Sequence, residues 1–167
     1  GIVFLLAARF WSLPLAVIAA MVASLWLTGA FHEDGWADMV DGFGGGWEKA
    51  QILTIMKDSR IGSFGAIALT MLLLSKFCLL IEFERFEMPL VLLAGHAVSR
   101  FAATCMLRAL TYVRDEGKAK PLATRISAAE LAFAAATALL PLLLFDPREA
   151  LQGCLGVVLA SGWLARM

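Results

Sequence analysis

Apolar residues run through this chain in blocks of about membrane-spanning length, separated by short polar segments. Trp11–Phe31 carries no charge over 21 residues. As a helix it would be about 31 Å long, the depth of a bilayer's hydrocarbon core. A secretory leader fits it poorly, because the apolar region of such a leader runs only ~7–15 residues and ends at a small-residue cleavage site. Ile61–Ile81 is a second block, broken only by Lys76, whose stem can lie along apolar surface while its head reaches water. Met88–Val113 predicts a third span, long enough to tilt. Ile126–Phe145 predicts a fourth, with Glu130 near its start and Pro141 near its end, and Ala150–Ala165 a marginal fifth of 16 residues. The expected fold is all-α. It is a polytopic integral membrane helical bundle of about five transmembrane helices, with residues 1–167 forming a single transmembrane domain. There is no repeat, low-complexity tract or soluble domain.

Composition supports the membrane reading. The chain is 60% hydrophobic and 17% charged, with mean hydropathy +0.80, against ~45–50% and ~25% for a soluble domain. A soluble chain of 167 residues cannot bury so large an apolar share. Disordered, collagen-like and disulfide-scaffold chains are excluded. Fourteen Lys+Arg balance 14 Asp+Glu, so no basic field points to nucleic acid. Cys78, Cys105 and Cys154 sit in apolar stretches and read as packing residues. The chain starts at Gly1 and stops at Met167, both beside apolar sequence, and native sequence is expected to be missing at both ends. With five spans, polar segments 32–60 and 114–125 share one side. They hold Lys49, Lys57, Arg60, Arg114, Lys118, Lys120 and Arg125, against Arg85 and Arg148 on the other side. The positive-inside rule then places 32–60 and 114–125 in the cytoplasm.

The segment Phe31–Gly46 concentrates the chemistry. Glu33, Asp34, Asp38 and Asp41 fall within nine residues. Asp34, Asp38 and Asp41 have the i, i+4, i+7 spacing of one helix face. Like charges stacked this way repel, and a hard divalent cation, Mg²⁺ above all, answers that repulsion with one or two carboxylates plus water and phosphate oxygens. A solvated acidic loop is the plainer alternative. Gly42, Gly44, Gly45 and Gly46 follow, and suit either a phosphate-binding nest or a hinge. Lys57 and Arg60 bring cations toward a diphosphate and Asp58 a fifth carboxylate; the two cations equally suit positive-inside anchors. His96, Arg100, Thr104 and Arg108 recur every four residues on the third span. An arginine within a span costs ~2.5–3.5 kcal/mol on insertion scales and normally faces the protein interior or a wet cavity. Arg100 is therefore expected to point into the bundle, whereas Arg108 sits near the end of the span. His96 is either a structural donor or an acid–base group. No Ser-His-Asp or Cys-His arrangement suggests a covalent nucleophile. The residues fit transfer between phosphate-bearing substrates by positioning and charge stabilisation.

These strings resemble the successive motifs of the cobalamin synthases: His32-Glu-Asp-Gly-Trp-Ala-Asp38, Asp41-Gly-Phe-Gly-Gly-Gly46, Ile55–Gly62 with Gly65, and His96-Ala-Val-Ser-Arg100. The resemblance covers about Thr28–Arg100, with a weaker echo at Tyr112–Lys118. It implies an adenosylcobinamide-GDP ribazoletransferase of the bacterial or archaeal cytoplasmic membrane, joining adenosylcobinamide-GDP to α-ribazole or its 5′-phosphate, releasing GMP and using Mg²⁺. It further implies metal ligands at Asp34, Asp38, Asp41 and Asp58, and phosphate contacts from Gly42, Gly44, Gly45, Gly46 and Ser59. The catalytic set would be His32, Glu33, Lys57, Arg60, His96 and Arg100, with His32 or Glu33 as base. A homo-oligomer, or association with other cobalamin-assembly enzymes, stays open. Family members have a further apolar N-terminal region and a Gly/Thr/Gly/Asp-type motif near the C-terminus, so this chain reads as a fragment holding the central motifs.

Two other readings compete. A CDP-alcohol-type phosphotransferase also sets an Asp-Gly-x-x-Ala string at a membrane face, but here Ala37 is followed by Asp38 where that family has arginine. A cation-handling transporter would hold its site near mid-bilayer on broken helices, whereas this acidic cluster follows the first span.

Overall fold

The computed structural model describes residues 1–110 and 126–164, with Leu164 described in its backbone alone. Among them are eight helices: α1 (Ile2–Ala7), α2 (Leu13–Thr28), α3 (Phe31–Gly45), α4 (Lys49–Ile55), α5 (Ser63–Ile81), α6 (Met88–Ala109), α7 (Ala128–Leu142) and α8 (Pro147–Leu164). The chain divides into two compact units, Gly1–Pro89 and Leu90–Met167. The basic segment 114–125, with Arg114, Lys118, Lys120 and Arg125, lies outside the described residues.

In the first unit α1 packs on α2, α2 on α5, and α3 on both α4 and α5. Its core is small: Phe4, Ala16, Val17, Ala37 and Met88 are buried. Most large apolar side chains instead face outward, with Trp26 at 91% and Leu27 at 89% exposure. An outward apolar surface is what lipid rewards and water penalises. Arg85 ties the turn after α1 in place, donating to the carbonyls of Ala8 and Trp11.

The expected first span is not one straight helix. α2 stops after 16 residues at Gly29, whose φ of 60° is left-handed. Ala30 follows with φ 54°, the one non-glycine at positive φ among the described residues. Gly29 and Ala30 donate to Trp26 and Leu25, a C-cap of the Schellman kind. Two successive left-handed residues turn the chain by 83°, so α3 leaves the axis of α2. Hydropathy alone does not show the turn, because Gly29, Ala30 and Phe31 extend the uncharged run past the end of α2.

The second expected span forms as α5, and the third, over its described residues, as α6. These two are long and apolar enough to cross a membrane on their own among the described residues, and the bent α2–α3 pair would be a third if counted as one. By length and apolarity the described residues thus give two to three spans, against the expected count of about five. α7 has only 15 residues and α8 opens on the polar turn Pro147-Arg-Glu149. Ser127 and Glu130 close a capping box at the start of α7. In the second unit, α6, α7 and α8 line an apolar cavity of about 270 Å³ that includes Phe101, Met106, Leu142 and both Cys105 and Cys154. The three cysteines are free thiols.

Candidate functional site

The acidic segment is helical, as its spacing predicted. α3 carries Glu33 and Asp34 in its first turn, Asp38 in its middle and Asp41 near its end. At 100° per residue, Asp34, Asp38 and Asp41 lie within a 60° arc, but they do not share one environment. Asp34 is exposed, Asp38 half-buried and Asp41 buried at 9% exposure.

Asp41 is turned to α5. One carboxylate oxygen accepts from the Gly62 N–H at 2.7 Å and the other from the Gly65 N–H at 2.8 Å. These donors belong to the N-cap and third residue of α5, positions whose N–H groups have no partner within the helix. The carboxylate satisfies them and sits at the positive end of the helix dipole. The close approach requires glycine: a Cβ on Gly62 or Gly65 would fall 2.8 Å from Asp41 Cγ. Part of the motif Gly62-Ser-Phe-Gly65 is thus explained by a side chain more than twenty residues earlier.

The α3 glycines serve the same packing. A Cβ on Gly42 would meet Met56 and Ile52, one on Gly44 would meet the ring of Phe64, and one on Gly46 would meet Ile52, all inside 3.3 Å. Gly45 has Ile55 at 3.4 Å. The neighbours of this run are apolar side chains of α4 and α5, and its glycines let three helices approach closely. Gly42, Gly44 and Gly45 are themselves helical, not arranged as a loop around an anion.

Between α4 and α5 the chain turns through Lys57-Asp-Ser-Arg60. Asp58 Oδ1 accepts from the Arg60 backbone N–H at 3.1 Å, an Asx turn. The Arg60 guanidinium then grips the carboxylate through Nε at 3.1 Å and Nη2 at 2.7 Å. Its side-chain hydrogen bonds, then its backbone bond, hold the Asp58 carboxyl down to about 2. The pair is open to water, with Arg60 at 87% and Asp58 at 40% side-chain exposure. Asp58 was expected at a metal and Arg60 at a phosphate; in this structure each partners the other. Lys57 and Ser59 are exposed.

His32 is exposed and meets Phe31 edge to face at 5.7 Å. Glu33 Oε2 and Trp36 Nε1 are buried without a hydrogen-bond partner among the described residues. His96 and Arg100 are exposed on α6. In the same row, Thr104 donates to the Arg100 carbonyl at 2.9 Å, and Arg108 to the Ile126 carbonyl at 2.6 Å. The expectation that Arg100 points inward is not met within its own unit.

Among the described residues no group of three or more His, Cys, Asp or Glu side chains gathers to hold a metal ion. The donor set suits a sparser mode. Asp41 is engaged by α5, while Asp34 and Asp38 stand one turn apart on α3 beside the unpartnered Glu33 oxygen. Magnesium takes one or two carboxylates and completes its shell with water and phosphate oxygens.

The family model for cobalamin-5-phosphate synthase matches residues 1–167. The chain belongs to that family. It is 46% identical over 162 residues to the adenosylcobinamide-GDP ribazoletransferase of Shewanella piezotolerans, covering 92% of this chain and 62% of the relative. The Ralstonia pickettii protein of the same name is 47% identical, covering 90% and 60%, and that of Vibrio cholerae 43%, covering 99% and 63%. The chain spans about three fifths of the length of these relatives. No solved structure matches it. Family membership and the two self-sufficient spans make this a multi-pass membrane protein.

The sequence reading missed the pairing of Asp41 with Gly62 and Gly65, and the role of the α3 glycines. An aspartate followed by glycines on two separate segments is a signal of sorts, but only the packing of α3 on α5 tells which carboxylate meets which N–H. The Asp58–Arg60 pair had a local signal in the i, i+2 spacing of an Asx turn.

Proposed function

We propose that the full-length protein is an adenosylcobinamide-GDP ribazoletransferase, and that this chain carries the acidic part of its site on α3 and the turn before α5. The family match over residues 1–167 carries this reading, and the names of the relatives give the reaction. A hydroxyl oxygen of α-ribazole, or of its 5′-phosphate, attacks the phosphorus that stays with the corrinoid. The bond from that phosphorus to the GMP oxygen breaks, GMP leaves, and the hydroxyl proton passes to a base, His32 or Glu33.

Asp34 and Asp38 would hold Mg²⁺, which supplies positive charge to offset the charge developing on the diphosphate. Lys57 lies exposed on the turn before α5, and Arg60 reaches a phosphate by exchanging the Asp58 carboxylate for it, one bidentate anion for another. Because that pair is water-exposed, the exchange opens an interaction of small net value. Asp41, Gly62 and Gly65 hold the frame. On the five-span reading, its basic residues assign the segment to the cytoplasmic side.

The test is an assay of the full-length parent in membranes with adenosylcobinamide-GDP, α-ribazole and Mg²⁺, following GMP and corrinoid product together. Stoichiometric GMP and a cobalamin product are expected from the parent. Asp38→Asn is expected to insert normally and lose transfer by at least about a hundredfold, the scale of losing an electrostatic stabiliser of the transition state. Full activity in that variant would remove Asp38 from the site, and no product from an inserted parent would remove the reading.

A further inference from the structure

Glu33 Oε2 and Trp36 Nε1 are the two buried side-chain polar atoms that lack a hydrogen-bond partner among the described residues. They stand three residues apart on α3, on one side of the helix, where such positions have Cβ atoms about 5–6 Å apart. A buried polar atom left unpaired is costly, so two on one helix side mark a place where something else bonds. The two atoms ask for different things. A carboxylate only accepts, and an indole N–H only donates. A phosphate oxygen would satisfy the indole and be repelled by the carboxylate; an ammonium would do the reverse. A hydroxyl donates and accepts at a single oxygen. A single hydroxyl oxygen can therefore satisfy both atoms, with hydrogen bonds of about 2.7–3.0 Å to each.

We infer that Glu33 and Trp36 together hold one hydroxyl group of the nucleoside acceptor, donating to Glu33 and accepting from Trp36. This rests on the transferase reading and assigns its acceptor subsite. The reacting end of the other substrate is a diphosphate, which has no hydrogen to give Glu33. Trp36 is a positioning residue in this scheme: its N–H fixes the oxygen while the hydroxyl hydrogen points to the carboxylate.

The test uses the full-length parent in liposomes. Trp36→Phe keeps the ring and removes the N–H. Its KM for α-ribazole is expected to rise about fivefold, the net worth of one hydrogen bond, with kcat and the KM for adenosylcobinamide-GDP unchanged. Glu33→Leu should shift the same KM at least as far. An unchanged acceptor KM in a normally melting Trp36→Phe protein would overturn the inference and leave the two atoms to an ordered water. A rise confined to the corrinoid KM would also overturn it, giving the hydroxyl to the guanosine ribose. A second measurement does not need turnover. The ¹⁵N-indole resonance missing from Trp36→Phe is expected to move when α-ribazole is added alone and to stay put with inorganic phosphate. If the parent made no cobalamin yet this resonance still answered α-ribazole, the transferase reading would fail and the hydroxyl site would stand; a resonance indifferent to α-ribazole in an active parent would do the opposite.

Discussion

Asp41 and Asp58 are two aspartates in the same stretch of chain, held in opposite ways. Asp41 is buried and takes both its hydrogen bonds from backbone N–H groups of α5. Asp58 is exposed and takes its bonds from Arg60, two residues on. The first arrangement leaves no partner free to move without disturbing a helix terminus. The second holds a flexible guanidinium in water, where the net value of an ion pair is small and salt weakens it further. One carboxylate fixes the frame; the other holds a cation at an exposed, exchangeable position. On the transferase reading proposed above, a site that binds and releases a diphosphate uses both kinds.

The comparison breaks most visibly at Gly65. Gly65→Ala places a Cβ 2.8 Å from Asp41 Cγ and 2.9 Å from the Ala37 carbonyl. Overpacking there and the displaced buried carboxylate together should cost about 3 kcal/mol or more, read as a lower thermal midpoint in detergent. An unchanged midpoint would mean that α3 and α5 are not packed this closely. Asp41→Asn is the milder break. The amide keeps one acceptor and turns an NH₂ toward the other N–H, leaving a buried donor unpaired at about 1–3 kcal/mol; a smaller loss would show that water reaches the α5 terminus. The smallest effect is at Asp58. Its carboxyl is lowered from the ordinary 3.8 to about 2 by the bonds from Arg60, so the pair's contribution is complete above pH 3.8 and fades as pH falls through 2. Between pH 5 and 8 nothing should change. A ¹³C titration of the Asp58 carboxyl should give a midpoint near 2 in the parent and near 3.8 in Arg60→Ala, while a parent midpoint near 3.8 would show the pair to be open in solution.

Much of this architecture was legible beforehand, in terms that separate local from distant causes. The block Ile61–Ile81 and the described part of Met88–Val113 became α5 and α6, because sustained apolarity over a full span has few other solutions. The 4-and-3 spacing of Asp34, Asp38 and Asp41 became a helix. What the chain hid was partnership. Nothing local distinguishes Asp41 from Asp34; burial against α5 does. The glycines of Asp41–Gly46 stood out, but a nest, a hinge and a packing surface all call for glycine, and the choice rests on Ile52, Met56 and Phe64 lying opposite. The turn at Gly29–Ala30 left no trace in hydropathy, because the left-handed Ala30 is neither glycine nor polar.

That turn has a consequence for the bilayer itself. A helix of 16 residues is about 24 Å long, short of a hydrocarbon core of about 30 Å by some 6 Å. Where α2 alone meets the bilayer, that deficit calls for local thinning of the lipid or for drawing the first polar turn of α3 below the headgroup plane. Hydrophobic mismatch then acts on the acidic helix directly. On the proposed reading of that helix, acyl-chain length sets how deep His32, Glu33 and Asp34 sit, and membrane thickness enters the chemistry through a bend of two residues.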